Sequence, residues 1–204
     1  MNTKSPLQYR VFRPLYKKAA LQMCRDCNNF IEFNSKILDF GCGSGVVGNE
    51  FAKYFKSEIL GIDIIDNRVE KISFKQYAGE DLSFLVDNGY DVVLINYVLH
   101  HTSDPITILK TIITKSKKRI IIYENLPEGI ISKIFCKLHG ISFGMFFQKN
   151  FIPGKFLTQK EWEKVFNDLK LDLIYAKTIS GFNPMKNTLF VLERSSQLNN
   201  VAPS

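Results

Sequence analysis

The sequence predicts an α/β fold: a mostly parallel sheet of seven strands with helices on both faces and an antiparallel C-terminal strand. Three observations carry this. Apolar runs alternate with helical patterns along most of the chain, which is the signature of parallel strands joined by helices. Two of the runs, Tyr90–Asn96 (YDVVLIN) and Arg119–Glu124 (RIIIYE), are almost continuously apolar, as strands covered on both faces are. The last two runs, Leu171–Ile179 and Thr188–Glu193, flank Gly181, Asn183 and Pro184, which argues for a closing hairpin.

The elements follow in order. Pro14 to about Phe33 reads as a leading helix, with Leu15, Ala19, Met23 and Cys27 at helical spacing. Lys36–Phe40 is a short strand, Gly45–Tyr54 a helix and Glu58–Asp63 (EILGID) a strand. Ile72–Tyr77 reads as a strand and Leu82–Asn88 as a short helix. Asp104–Pro105 opens a helix to about Lys115. Gly129–His139 looks helical, and Ile141–Phe156 is an aromatic stretch interrupted by Gly and Pro. Thr158-x-x-Glu161 is a capping box opening a helix to about Leu169. A single domain over residues 1–194 is expected, with 1–35 as its leading helix, 126–157 as a lid-like insertion and 195–204 as a disordered tail.

Composition bounds the function classes. With 45% hydrophobic and 23% charged residues, a chain of 204 residues is neither low-complexity nor disordered. No apolar leader and no run of ~20 apolar residues is found, so a cytoplasmic protein is expected. The net charge of +7 is unevenly spread: residues 37–109 carry 11 acidic and 5 basic side chains, whereas 110–119 carry 5 basic and none acidic. Cys24-x-x-Cys27 and Cys136-x-x-His139 could be combined as a zinc site. Each pair also fits an amphipathic helix at i, i+3, and neither is set among turn residues apart from Gly140, so packing is the preferred reading and no metal is expected.

The most informative segment is Lys36–Gly48, KILDFGCGSGVVG. An apolar strand ends at Asp39 and turns through Gly41, Gly43 and Gly45 into a helix. Glycines there allow a sharp turn and a ligand laid against the backbone, and the helix N-terminus offers unpaired N–H groups. Asp63 closes the next strand 20 positions after Gly43, a placement suited to ribose hydroxyls. The segment therefore reads as a site for a nucleoside-containing cofactor. Gly43-x-Gly45-x-x-Gly48 formally fits a dinucleotide fingerprint, so NAD is the alternative. Against it, the glycine that follows the strand is Gly41, from which the third glycine would fall at Val46. Asp39 would also repel a pyrophosphate, whereas it suits a cationic amino group.

These residues resemble a known family. Asp39-x-Gly41-x-Gly43-x-Gly45 is similar to motif I of class I S-adenosylmethionine-dependent methyltransferases, which have a Rossmann-like sheet. Gly61-Ile62-Asp63 resembles the family's second motif, and Gly79-Glu80-Asp81-Leu82-Ser83-Phe84 its adenine-side segment. Tyr90–Leu94 followed by Leu99-His100-His101 resembles its fourth strand and following turn. The resemblance spans about residues 36–194 and is nearest the small-molecule and quinone-methylating branch.

It implies S-adenosylmethionine as cofactor, with Asp39 facing the methionine amino group, Gly41, Gly43 and Gly45 forming the backbone bed and Asp63 holding the ribose. The Gly79–Asp81 segment, including Glu80, would flank adenine, Asn96 would offer backbone groups near the methionine, and Ile64 would also contact the cofactor. Many relatives carry an acidic residue where Ala78 stands, so Glu80 or Asp81 would have to substitute.

Methyl transfer from a sulfonium is an in-line displacement that needs alignment above all, and a base only if the acceptor must lose a proton. His100 and His101, just past a strand end, are candidate bases, or else they cap the turn before Pro105. Glu124, ending the fifth strand, either contacts substrate or caps the next segment. Asn96-Tyr97-Val98-Leu99 lacks the two prolines of the Asn/Asp-Pro-Pro-Tyr motif of enzymes that methylate nucleic-acid amino groups.

The expected acceptor is therefore a small, apolar or aromatic molecule, with peripheral membrane contact as a further option. The insertion carries Phe135, Phe143, Met145, Phe146, Phe147, Phe151 and Phe156 among lysines, and reads as a lid, a membrane contact or core. A subunit that binds the cofactor without catalysis is the non-enzyme alternative.

Overall fold

The computed structural model describes residues 7–78, 81–147, 154–179 and 184–195, with backbone alone at 8 and 142–147. Helices α1 (Leu7–Val11) and α2 (Arg13–Asp26) lead into strand β1 (Lys36–Phe40), α3 (Val46–Phe55), β2 (Glu58–Asp63), β3 (Ser73–Gln76) and β4 (Tyr90–Asn96). Then come a 3-10 turn at Leu99–His101, α4 (Pro105–Ile112), β5 (Ser116–Leu126), α5 (Ile130–Phe147), α6 (Gln159–Asp168), β6 (Leu171–Ile179) and β7 (Lys186–Arg194). The seven strands are ordered β3-β2-β1-β4-β5-β7-β6. β1 pairs in parallel with β2 and β4, β2 with β3, while β7 runs antiparallel to both β5 and β6. The predicted fold class is borne out.

Two compact units divide the chain: the described residues up to 96 with 114–117, and 97–113 with those from 118 onward. In the first, β1 and β4 are the hydrophobic centre, with Ile37, Leu38, Phe40, Val93, Leu94 and Ile95 fully buried. Cys24 and Cys27 are also fully buried on α2 and at its C-cap, which is the packing role preferred for them. In the second, Ile120–Tyr123 of β5 and Leu189–Leu192 of β7 are fully buried. There Trp162 of α6 stacks on Phe166, which meets the Phe190 ring edge-on.

Local signals explain most boundaries. Asp104 accepts the Ile106 and Thr107 N–H groups at 3.1 Å, and Pro105 follows at the first helical position. The Thr158–Glu161 capping box is formed in both directions. Three expectations are corrected. The leading helix, α2, begins beside Pro14 as expected but stops at Asp26 rather than near Phe33. Residues 82–88 are turns, not a helix; Leu82 and Leu85 are buried there as plugs, whose i, i+3 spacing mimics a helical face. Helix α5 does not stop at His139 but runs through Gly140 to Phe147. Gly79, Glu80 and the tail from 196 lie outside the described residues. Among the described residues no helix is long and apolar enough to cross a membrane.

Candidate functional site

In the first unit, strand β1 delivers Asp39 into the sheet, in register with Gly61 of β2 and Leu94 of β4. The chain then turns through three left-handed glycines, Gly41, Gly43 and Gly45, with φ of 70°, 49° and 72°. Gly41 and Cys42 both donate to the Ile62 carbonyl, which pins the turn to β2. A Cβ on Gly43 would meet nothing within 4 Å, so the face above this backbone is open. Gly45 is the N-cap of α3 and has no side chain to cap it, leaving first-turn N–H groups available to a ligand.

Asp63, at the end of β2, accepts the Gly43 N–H at 2.8 Å through Oδ2 and the Ile65 N–H at 3.4 Å through Oδ1. Burial pushes its carboxyl up from the ordinary range, and these N–H groups offset part of that. Ile64 beside it is half-exposed. Asp81 is exposed, and its pKa is held down first by the Ser83 hydroxyl and then by the Ser83 N–H, which its carboxylate accepts in a local turn.

Asp39 is the most unusual residue of the unit. It is 1% exposed, and neither carboxylate oxygen has a hydrogen-bond partner. Burial drives its pKa up to about 7; the charge of Asp63 adds to this, and the Gly48 N–H, outside good hydrogen-bond geometry, offsets a part. Asn96, at the end of the neighbouring strand β4, has both amide atoms buried and unpartnered. Its side chain is therefore a group in want of a partner, beside the backbone groups expected from the sequence.

Tyr9 of α1 has its hydroxyl pKa raised, first by burial and then by Tyr16 and Asp63, so the leading helix reaches the Asp63 region. Only the general position of that helix hinted at this. Gly48 on α3 packs over Asp39: a Cβ there would lie 2.7 Å from Asp39 Oδ2 and 3.3 Å from Ile59 and Ile72. Gly48→Ala is expected to cost ~1–3 kcal/mol of stability by overpacking, read as a lower urea midpoint. An unchanged midpoint would mean that Asp39 turns aside freely.

In the second unit, the predicted catalytic residues do come together. His100 and Glu124 are each 1% exposed, and His100 Nδ1 lies 2.5 Å from Glu124 Oε2. Glu124 Oε1 accepts the Leu99 N–H at 2.9 Å. The ring of His101 adjoins that of His100, with centroids 4.0 Å apart. Burial, with the neighbouring His100 and His139, pushes the His101 pKa down to about 2. Tyr97, which the sequence reading passed over, takes a left-handed φ of 54° and donates its N–H to the Tyr123 carbonyl at 2.8 Å. A tyrosine in that sparsely allowed region stores strain where the chain leaves β4, and nothing in its local sequence signals it.

Comparison with known proteins places this geometry. The chain is 28% identical over 121 residues to the ubiquinone biosynthesis O-methyltransferase of Acinetobacter baumannii (strain AYE), which covers 50% of this chain and 48% of that one. The chain spans about half the length of the curated relatives it matches. Its fold is that of a S-adenosylmethionine-dependent methyltransferase from Archaeoglobus fulgidus (TM-score 0.69, 16% identity, covering 91% of this chain and 99% of that one). It is likewise that of magnesium protoporphyrin IX methyltransferase from Synechocystis PCC 6803, solved with S-adenosylhomocysteine (TM-score 0.64, 16% identity, covering 96% and 90%). A family model described as a methyltransferase domain matches residues 15–127, more than half of the chain. The glycine turn after β1 and the acid ending β2 thus lie inside a matched domain, and the chain belongs to the methyltransferase-domain family.

Proposed function

We propose that this chain transfers a methyl group from S-adenosylmethionine to a small, apolar or aromatic acceptor, with the described residues up to 194 acting as one methyltransferase domain. The observation that carries the reading is the buried, unpartnered Asp39 carboxylate at the end of β1, with the unpartnered Asn96 amide at the end of adjacent β4. Burying a charge without a partner is unfavourable, and a ligand ammonium would supply that partner. The residues fit the cofactor's amino-acid end on this ground.

When bound, S-adenosylmethionine supplies an electrophilic methyl group on a sulfonium. Asp39 would hold the ammonium and Asn96 would donate to or accept from the same end. Gly41, Gly43 and Gly45 would let the ligand lie on the backbone. Asp63 keeps acceptor capacity beyond its two N–H donors and would take the ribose hydroxyls. Ile64 offers an apolar edge for adenine. Asp81, Gly79 and Glu80 are retained as adenine-side residues on the resemblance alone.

Glu124, with His100 and His101, is assigned to the acceptor side. His100 Nδ1 is paired with the Glu124 carboxylate, and its buried Nε2 has no partner. The names of the relatives, a ubiquinone biosynthesis O-methyltransferase and a magnesium protoporphyrin IX methyltransferase, support a small organic acceptor. The exposed Ile130, Ile131, Ile134 and Leu138 of α5, each more than half accessible, support an apolar one or a membrane surface that holds it.

Calorimetry should show binding of S-adenosylhomocysteine and none of NAD; NAD binding alone would overturn the reading. With labelled S-adenosylmethionine and fractionated lysate, label should enter the small-molecule or lipid fraction. Label confined to RNA or protein would overturn the acceptor class.

A further inference from the structure

The chain has three histidines, and the fold brings all three together in the second unit. One ring nitrogen from each of His100, His101 and His139 lies within 4.8 Å of the others. His100 is almost wholly buried, and its Nε2 has no partner. Its Nδ1 is committed to Glu124, which leaves the buried Nε2 as the atom in want of a partner. A buried ring nitrogen left without a partner is unfavourable, and a ligand at that point would relieve it.

We propose that His100, His101 and His139 form a three-imidazole site for a divalent transition metal of the zinc type. Imidazole nitrogen is a preferred zinc donor at ~2.0–2.1 Å, and three such donors leave a fourth position open. Around a tetrahedral ion the nitrogens stand ~3.4 Å apart, so the widest pair must close by ~1.4 Å. His101 and His139 are half-buried and His100 is buried. Glu124 supplies the outer carboxylate that orients a ligating histidine and sets its tautomer.

The site is also walled. Phe156 stacks on His100 with centroids 4.6 Å apart, and the Lys155 N–H holds the His100 carbonyl at 2.9 Å. Cys136, the sequence partner of His139, sits 3.9 Å from Ser132 Oγ instead. Metal binding would engage His100 Nε2 in place of the acceptor and leaves the cofactor reading untouched.

The test uses the full, untagged chain stripped with chelator. Calorimetry with Zn²⁺ should give one ion per chain, and Co²⁺ should give the intense visible absorption of a tetrahedral site. His101→Ala and His139→Ala should each weaken zinc binding by at least ~10-fold, with unchanged circular dichroism. Glu124→Gln should weaken it ~10–100-fold: the amide that still accepts the Leu99 N–H would donate to Nδ1 and shift the His100 proton onto Nε2. Absence of zinc and cobalt binding overturns the proposal, as does a folded His139→Ala chain that binds like wild type. Binding of S-adenosylhomocysteine is measured on the same sample, so zinc without it supports the site and overturns only the proposed function.

Discussion

Asp63→Ala is expected to weaken S-adenosylhomocysteine binding by ~10–100-fold. Hydrogen bonds to a charged group contribute ~1.5–3 kcal/mol each, and every 1.4 kcal/mol is a factor of ten. That range is the loss of one such bond; ribose would offer Asp63 two hydroxyls, and loss of both bonds would carry the effect beyond ~100-fold. A second effect has the same sign. Asp63 also accepts the Gly43 N–H, so truncation releases the middle of the glycine turn on which the cofactor would rest. Asp63→Asn separates the two: its amide oxygen can still take the Gly43 N–H, while the charge and half of the acceptor capacity are gone. Its affinity should fall between those of wild type and Asp63→Ala. Calorimetry on chains with matched melting curves checks this, and an unchanged affinity for Asp63→Ala would mean that the ribose binds elsewhere.

Much of the first unit was legible because its signals are local. Lys36–Phe40, Glu58–Asp63 and Tyr90–Asn96 are apolar runs bounded by turn residues, and they form strands with those ends. Gly41, Gly43 and Gly45 all take the positive φ that their spacing implied. What stayed hidden depends on tertiary placement. Helix α5 passes through Gly140, where the glycine serves close packing rather than a stop: a Cβ there would lie 3.2 Å from the Gly154 nitrogen. Locally the same glycine reads as a stop. His139 pairs with Cys136 along the chain but meets His100 and His101 in space, and only the course of α5 decides between them. The want of a partner at Asn96 is equally invisible in sequence, since it depends on what neighbouring strands fail to offer. The fold followed from periodicity; the electrostatics of the site followed from burial, which periodicity does not fix.

Asp39→Asn should act in opposite directions on stability and on binding. In the free protein, burial holds the Asp39 pKa near 7 against an ordinary value of 3.8. Below about pH 4 the carboxyl is protonated in both folded and unfolded chains and nothing is lost. As pH rises from ~4 to ~7 the unfolded chain ionises and the folded one resists, so stability falls through that window and levels off above it. The full loss is roughly 4 kcal/mol. Asp63, also raised by burial, adds a loss of the same sign that the substitution leaves in place. Asp39→Asn keeps the shape and removes the charge, so at pH 8 the free variant should melt higher than wild type and at pH 4 nearly the same. The ligand ammonium, however, loses its counter-charge, and S-adenosylhomocysteine should bind at least ~10-fold more weakly. Wild-type affinity should itself fall below pH 7, where Asp39 must give up a proton before it can pair with the ammonium. A variant that melts lower than wild type at pH 8 would show that Asp39 is already satisfied in the free protein. A variant that binds S-adenosylhomocysteine as wild type does would remove Asp39 from the cofactor site. A group that opposes folding until its ligand arrives is stabilised by that ligand more at pH 8 than at pH 5, and thermal melts with and without S-adenosylhomocysteine at the two pH values measure the difference directly.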